Sequence, residues 1–136
     1  MIKINENEEY VISLNGQVFC EHTMMFDVPT DFLKAFYDLL RPYPHNKHSV
    51  SVVVVEDDES GPVFVFVDYP TNQCAYVINS KNYKDITKID MGNEDLARMF
   101  VTDIESQYDL FLKQYHREDA RQEFIDCLNK LKSILN

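Results

Sequence analysis

SVVVVEDDESGPVFVFVDY, residues Ser51–Tyr69, sets two β-branched apolar runs on either side of four consecutive carboxylates, Glu56, Asp57, Asp58 and Glu59. Short runs rich in Val and Phe, bounded by turn residues, are the pattern of paired strands. The stretch therefore reads as a hairpin with an acidic tip. Val50 and Val52 to Val55 carry β-branched side chains at successive positions, which predicts a central strand covered on both faces. Pro62 lacks a ladder donor and fits the first position of the returning strand, which continues through Val63 to Val67. A further strand, Cys74 to Ile78, follows a Pro-Thr-Asn turn. Ile86 to Met91 reads as an edge strand or an ordered loop.

Outward from this hairpin the periods change. Upstream, Ile2 and Ile4 suggest a short strand, and Tyr10 to Leu14 alternates before Asn15-Gly16 and resumes as QVFCEH. An Asn-Gly pair between two such runs predicts a tight hairpin, because both turn residues need positive φ. After Val28-Pro29, Thr30 is placed to cap a helix and Asp31 to complement its dipole. Phe32, Leu33, Phe36, Leu39 and Leu40 form one stripe, and Pro42 ends it. Downstream, Asn93 is the predicted cap of a long helix marked by Leu96, Phe100, Ile104, Tyr108, Phe111 and Tyr115. His116 to Asp119 (HRED) breaks it, and Ala120, Phe124, Leu128, Leu131 and Leu135 mark a last helix. The order predicts a single α+β domain over residues 1–136. It has one antiparallel sheet of about five strands, a helix inserted after the first hairpin, and two C-terminal helices packed on the sheet.

With 45% hydrophobic and 26% charged residues, the chain has the composition of a folded domain rather than a disordered one. Its 23 acidic against 13 basic residues give a net charge of −10, which repels nucleic acid and anionic membrane and attracts basic partners. Cys20, Cys74 and Cys127 are an odd set without paired spacing, so they read as reduced thiols and the cytoplasm is the expected compartment. MIKINENEEY has no basic region followed by an apolar stretch, and no apolar run approaches the ~20 residues needed to span a bilayer.

Catalytic signatures are few. His45 and His48 sit in a proline-flanked loop without the third and fourth ligands that zinc takes. Cys20 and His22 share a strand face, half of a metal site or of a nucleophilic pair. Asp68, Asn79 and Lys81 fall in the order of a metal-dependent nuclease site, but with Asn where a second carboxylate belongs. Three glycines are too few for a phosphate-cradling loop. EDDES lacks the alternating ligands of an EF-hand. No metal and no cofactor is expected.

The acidic run is the feature left over. Carboxylates crowded on one tip repel by ~1 kcal/mol per pair at about 4 Å even in water. Glu6, Glu8 and Glu9 make a second acidic cluster, and Asp103, Glu105 and Asp109 a third. Tyr69, Tyr76 and Tyr83 lie on or after the neighbouring strands. Carboxylates interleaved with tyrosines suit the capture of a Lys/Arg-rich protein surface. Glu56, Asp57, Asp58, Glu59, Asp68, Tyr69 and Tyr76 are thus the predicted partner-binding residues.

In its EDDE and ENEE patches, its size and its want of a catalytic motif, the chain resembles the small acidic immunity proteins of bacterial toxin systems, those of contact-dependent inhibition among them. That resemblance implies a non-catalytic inhibitor of a basic toxin domain, a nuclease in many such pairs. Type III secretion chaperones share the size and acidity, but they open with a helix where this chain opens with a hairpin. An enzyme using Cys20 and His22 is the third reading.

The Asn-Gly turn is open to direct measurement. Gly16→Val puts a β-branched residue at positive φ and should cost about 1–3 kcal/mol. An unchanged melting temperature would remove the hairpin from Tyr10 to His22.

Overall fold

The Asn-Gly turn closes as its sequence requires, with φ of 51° at Asn15 and 81° at Gly16. In the computed structural model, which describes residues 1–22, 27–42, 49–55, 61–69, 72–78 and 85–136, this turn joins β2 (Tyr10–Leu14) to β3 (Gln17–His22). β1 (Ile2–Ile4) pairs antiparallel with β2, giving a first sheet in the order β1-β2-β3 with a register shift at Ile12/Ser13.

The helix after this sheet, α1 (Val28–Leu40), starts earlier than its Thr30 suggests. Asp27 is the cap, its carboxylate accepting from the Thr30 amide at 3.2 Å, and Pro29 occupies the first turn, where a missing N–H costs nothing. Phe32, Leu33, Phe36 and Leu39 are fully buried along one side.

The opening stretch forms the second sheet, and here the expectation of one five-stranded sheet gives way. β4 (Ser49–Val54), β5 (Val63–Tyr69), β6 (Asn72–Ile78) and β7 (Ile86–Ile89) are antiparallel in the order β4-β5-β6-β7. The described residues thus form two sheets, of three and four strands. β4 is an edge, not the central strand that its run of valines predicts. Val53 and Val55 turn inward and are buried, while Val50, Val52 and Val54 are half exposed. The valine run misleads because β-branching reports a fit to a pleated surface and not what covers that surface.

The long C-terminal helix is also two pieces. α2 (Asn93–Ser106) ends at Gln107, α3 (Tyr108–Lys113) follows, and α4 (Glu118–Leu135) closes the chain, so three C-terminal helices replace the expected two. Gln107 leaves helical geometry (φ −130°) and spends its side chain on β1, accepting from the Ile4 amide at 3.0 Å and donating to its carbonyl at 3.3 Å. Asn93 is not the cap either. Gly92 holds that position, and the buried Asn93 side chain donates to the Val67 carbonyl at 2.8 Å, tying the start of α2 to β5.

Phenylalanines join these parts. Phe32 and Phe36 of α1 meet Phe64 and Phe66 of β5 at centroid distances of 5.0 and 4.8 Å, and Phe100 of α2 stands 5.2 Å from Phe32. A second aromatic group, Tyr10, Phe111, Phe124 and Tyr115, locks β2 to α3 and α4.

Gly61 is the position least able to carry a side chain. An added Cβ would lie 1.4 Å from the Val55 carbonyl oxygen, a backbone atom with nowhere to go. Gly61→Ala should therefore cost about 1–3 kcal/mol or more. Gly92→Ala, whose nearest obstacle is the Asp95 carboxylate at 3.8 Å, should stay within about 0.5 kcal/mol. Thermal melts of the two variants against the parent distinguish the sites.

Candidate protein-binding surfaces

Pleating divides the second sheet into two faces. Phe64 and Phe66, opposite Val53 and Ser51 on β4 and Val77 and Ala75 on β6, turn toward α1. The opposite face carries Val50, Val52 and Val54 from β4, Val63, Val65 and Val67 from β5, Tyr76 and Ile78 from β6, and Ile86 from β7. Val50, Val52, Val54 and Ile86 are 49%, 53%, 51% and 57% exposed. Lys88 is a charged residue of this face, Cys74 is buried on it, and the exposed Asp90 continues its register just past β7, beside Cys74 and Lys88. A contiguous, half-exposed apolar face is the usual mark of a surface that another molecule covers.

The predicted site residues divide between these faces. Tyr69 is exposed at the end of β5 and Tyr76 is half-buried on β6, and both have the register of the outer face. They do not adjoin: Tyr69 pairs with Asn72, and Tyr76 with Val65, four residues along the ladder. Asp68 has the register of the helix side, opposite Ser49 and Gln73, and is half-buried. It does not join the tyrosines, because adjacent residues of a strand point to opposite faces. Glu56, Asp57, Asp58 and Glu59 lie outside the described residues, as do Tyr83, His45, His48, Asn79 and Lys81.

The third acidic cluster is partly spent on structure. Asp103 takes the Ile2 amide at 3.1 Å and the amino group of Met1, and Glu105 lies 3.5 Å from Lys132. Cys20 is half-buried and Cys127 likewise, while Cys74 is buried, and no disulfide joins any of them among the described residues. Among the described residues no three His, Cys, Asp or Glu side chains gather at metal-binding distance.

Two grooves flank α1, and neither is visible from local sequence. One, of about 670 Å³, runs between α1 and α4. Leu33, Tyr37 and Cys127 line it together with Asp38, Asp119, Glu123 and Asp126, and a Lys34–Glu123 pair at 2.5 Å crosses it. The other, of about 610 Å³, runs between α1 and the open edge of β4 and includes Asp31, Lys34, Ala35 and Asp38. Its walls come from segments joined only by the tertiary fold.

One buried polar group remains. Tyr115 donates to Asp27 at 2.6 Å, and the Thr30 hydroxyl lies 3.3 Å from the same phenol. Burial first, and the charge of Asp27 second, push the phenols of Tyr115 and Tyr10 well above the ordinary tyrosine value. That is the reverse of what a phenolate base or nucleophile requires. None of the three residues Asp27, Thr30 and Tyr115 lines either groove beside α1. The cluster anchors the start of α1 to the turn after α3.

Compared with protein-family models, curated proteins and solved structures, the chain matches none.

The phenol cluster sets a pH limit. Both tyrosines have pKa values raised by folding, so their contribution is complete below the unfolded value of 10 and is lost as pH rises beyond it. Tyr115→Phe should cost about 1–3 kcal/mol at pH 7, since the part-buried Asp27 carboxylate loses the phenol donor and keeps the Thr30 amide. Above pH 10 the variant should lose stability less steeply than the parent. Parallel alkaline slopes in denaturant titrations would show that Tyr115 ionises as freely folded as unfolded.

Proposed function

We propose that this chain is a non-catalytic binding protein that captures a basic protein, in the manner of a bacterial immunity protein that blocks a cognate toxin domain. One observation supports this reading above the others: a half-exposed face of valines with Tyr69 and Tyr76, on a chain whose net charge is strongly negative. Apolar area of this kind supplies affinity once water is expelled, and surrounding negative charge supplies attraction and choice of partner. Tyr69 and Tyr76 contribute large, stiff contacts at small entropic cost, while Asp68 faces the helix side and serves the rim. The run Glu56–Glu59 belongs to the same reading as a steering element, acting on encounter more than on the lifetime of the complex. Nucleic acid and membrane surfaces, both anionic, are disfavoured as partners by the same charge.

The natural test begins with the neighbouring reading frame. If a large secreted protein is encoded beside this chain, its C-terminal domain should arrest growth when expressed alone and cease to do so when this chain is co-expressed. Continued arrest despite stable expression of both would sink the inhibitor reading. With the purified pair, changing Glu56, Asp57, Asp58 and Glu59 together to Gln and Asn should slow association and flatten its salt dependence. Steering of this kind raises association from ~10⁵–10⁶ toward 10⁸–10⁹ M⁻¹s⁻¹ at low salt. Stopped-flow traces at two ionic strengths decide it, and equal rates with equal salt slopes would reduce the run to a solvated turn.

A further inference from the structure

The strand edges of this fold are treated unequally. β1 exposes the amides of Ile2 and Ile4, and both are taken by side chains of the α2 end, Asp103 at 3.1 Å and Gln107 at 3.0 Å. β7 is four residues long and carries the exposed Lys88, a short and charged edge of the kind that discourages pairing. β4 has neither protection. Its sequence, SVSVVV, contains no charge and no proline, its register with β5 runs without a bulge from Ser49 to Val54, and no described strand pairs on its other side.

The ladder shows what that edge offers. The Val55 amide donates to the Pro62 carbonyl at 3.0 Å, which gives residues 55 and 62 the register of a hydrogen-bonded pair, with no return bond because Pro62 has no N–H. In an antiparallel ladder such pairs alternate with pairs whose N–H and C=O groups point away from each other. Val53, Ser51 and Ser49 therefore bond to β5, and Val54, Val52 and Val50 aim their amides and carbonyls at the open edge. These are the residues whose side chains are half exposed on the outer face. One strand thus presents a pleated apolar surface and a row of backbone groups together.

We propose that the edge of β4 is a docking strand, to which the partner adds an extended segment with lysine or arginine at alternate positions and apolar residues between them. The inference rests on the reading that the partner is a basic protein. The alternation follows from geometry: side chains of an added strand in register with Val50, Val52 and Val54 extend the apolar outer face. Those between them enter the groove of about 610 Å³ beneath α1, where Asp31 and Asp38 stand. Lys34 in that groove is held by Glu123 at 2.5 Å, and Arg41 lies 3.9 Å from Asp38, so among the described residues the carboxylates of Asp31, Asp38 and Glu123 outnumber the two cations. Burial and the charge of Asp27 raise the Asp31 pKa, and an incoming cation beside it would favour the ionised carboxylate. A second copy of this chain fits less well. Its own β4 offers no cation to the groove, and each copy carries a charge of −10.

The experiment uses the full chain with three short peptides as probes: one alternating lysine and valine, one alternating glutamate and valine, and one of the first composition with lysines and valines in separate blocks. Binding is read by hydrogen exchange at the amides of Val50, Val52 and Val54, with affinity taken from the titration. The lysine–valine peptide should bind about tenfold or more tightly than either other peptide and slow exchange at all three amides. Val52→Pro deletes an outward amide without touching the bonds to β5 and should weaken binding about tenfold or more. Val52→Thr, which keeps that amide, should bind within about threefold of the parent. If Val52→Pro does not fold, the double variant Asp31→Asn with Asp38→Asn takes its place and should lose most of the preference for lysine over glutamate.

Three results would overturn the proposal. Parental affinity in Val52→Pro with the lysine peptide still preferred would move the site elsewhere and leave the basic-partner reading intact. Equal binding of the glutamate and lysine peptides at this edge would remove the basic partner itself. Protection of the three amides that grows with protein concentration and without any peptide would assign the edge to a second copy.

Discussion

Phe32 is the residue on which the arrangement turns. It is wholly buried, with Phe64 and Phe66 of β5 at 5.0 and 6.1 Å and Phe100 of α2 at 5.2 Å, so one ring touches helix, sheet and helix at once. Rings of this size dominate the burial of a small core, and their edge-to-face contacts favour particular crossing geometries. Once Phe32 and Phe36 lie on β5, α1 covers one face of the second sheet and α2 follows it to the same side. The outer face is left to whatever the rest of the chain or another molecule can supply. Its valines are the residue of that allocation. They are neither core nor ordinary surface, because each is half exposed in company with others of its kind.

Much of this was legible in the residues, and the reasons differ by element. The Asn15-Gly16 hairpin, the stripe of Phe32, Leu33, Phe36 and Leu39, and the strands of residues 63–67 and 74–78 are local signals, set by φ preference and periodicity, and each appears where the sequence places it. What sequence misplaces is what depends on distant partners. β4 reads as central because a valine run cannot report whether a neighbouring strand exists. The helix through Leu96 and Tyr115 reads as continuous because nothing local shows that Gln107 will leave its helix to bond both backbone groups of Ile4. Thr30 and Asp27 compete for one cap, and the carboxylate that also meets Tyr115 wins it.

The candidate site was legible in part. Tyr69 and Tyr76 do share the outer face, as residues at those strand positions must, but the reading grouped Asp68 with them by closeness in sequence, and parity sets it on the other side. The two grooves beside α1 were invisible, since Lys34 and Glu123, or Asp31 and Val52, are brought together by packing alone. An edge strand has a sequence signal, although it is one of omission. A strand of serines and valines without lysine, proline or bulge is one on which no protection has been spent, and that becomes informative only beside β1 and β7, which are protected.

Acidity and apolar surface act on different stages of recognition. Negative charge spread over the chain accelerates encounter and is weakened by salt, with a range of about 8–10 Å at ordinary ionic strength. A pleated face and an open ladder act only at contact, where they govern how long a complex survives. A protein built on charge alone would hold basic partners indiscriminately, and one built on a valine face alone would associate with itself. Here the charge of −10 opposes self-association, while among the described residues no strand pairs with the outer edge of β4 and Val50, Val52 and Val54 stay half exposed. On the proposed reading, the repulsion that keeps two copies apart also lets the chain leave the edge of β4 unpaired. The surplus carboxylates would then keep the apolar surface from self-association until a cationic segment pairs with it.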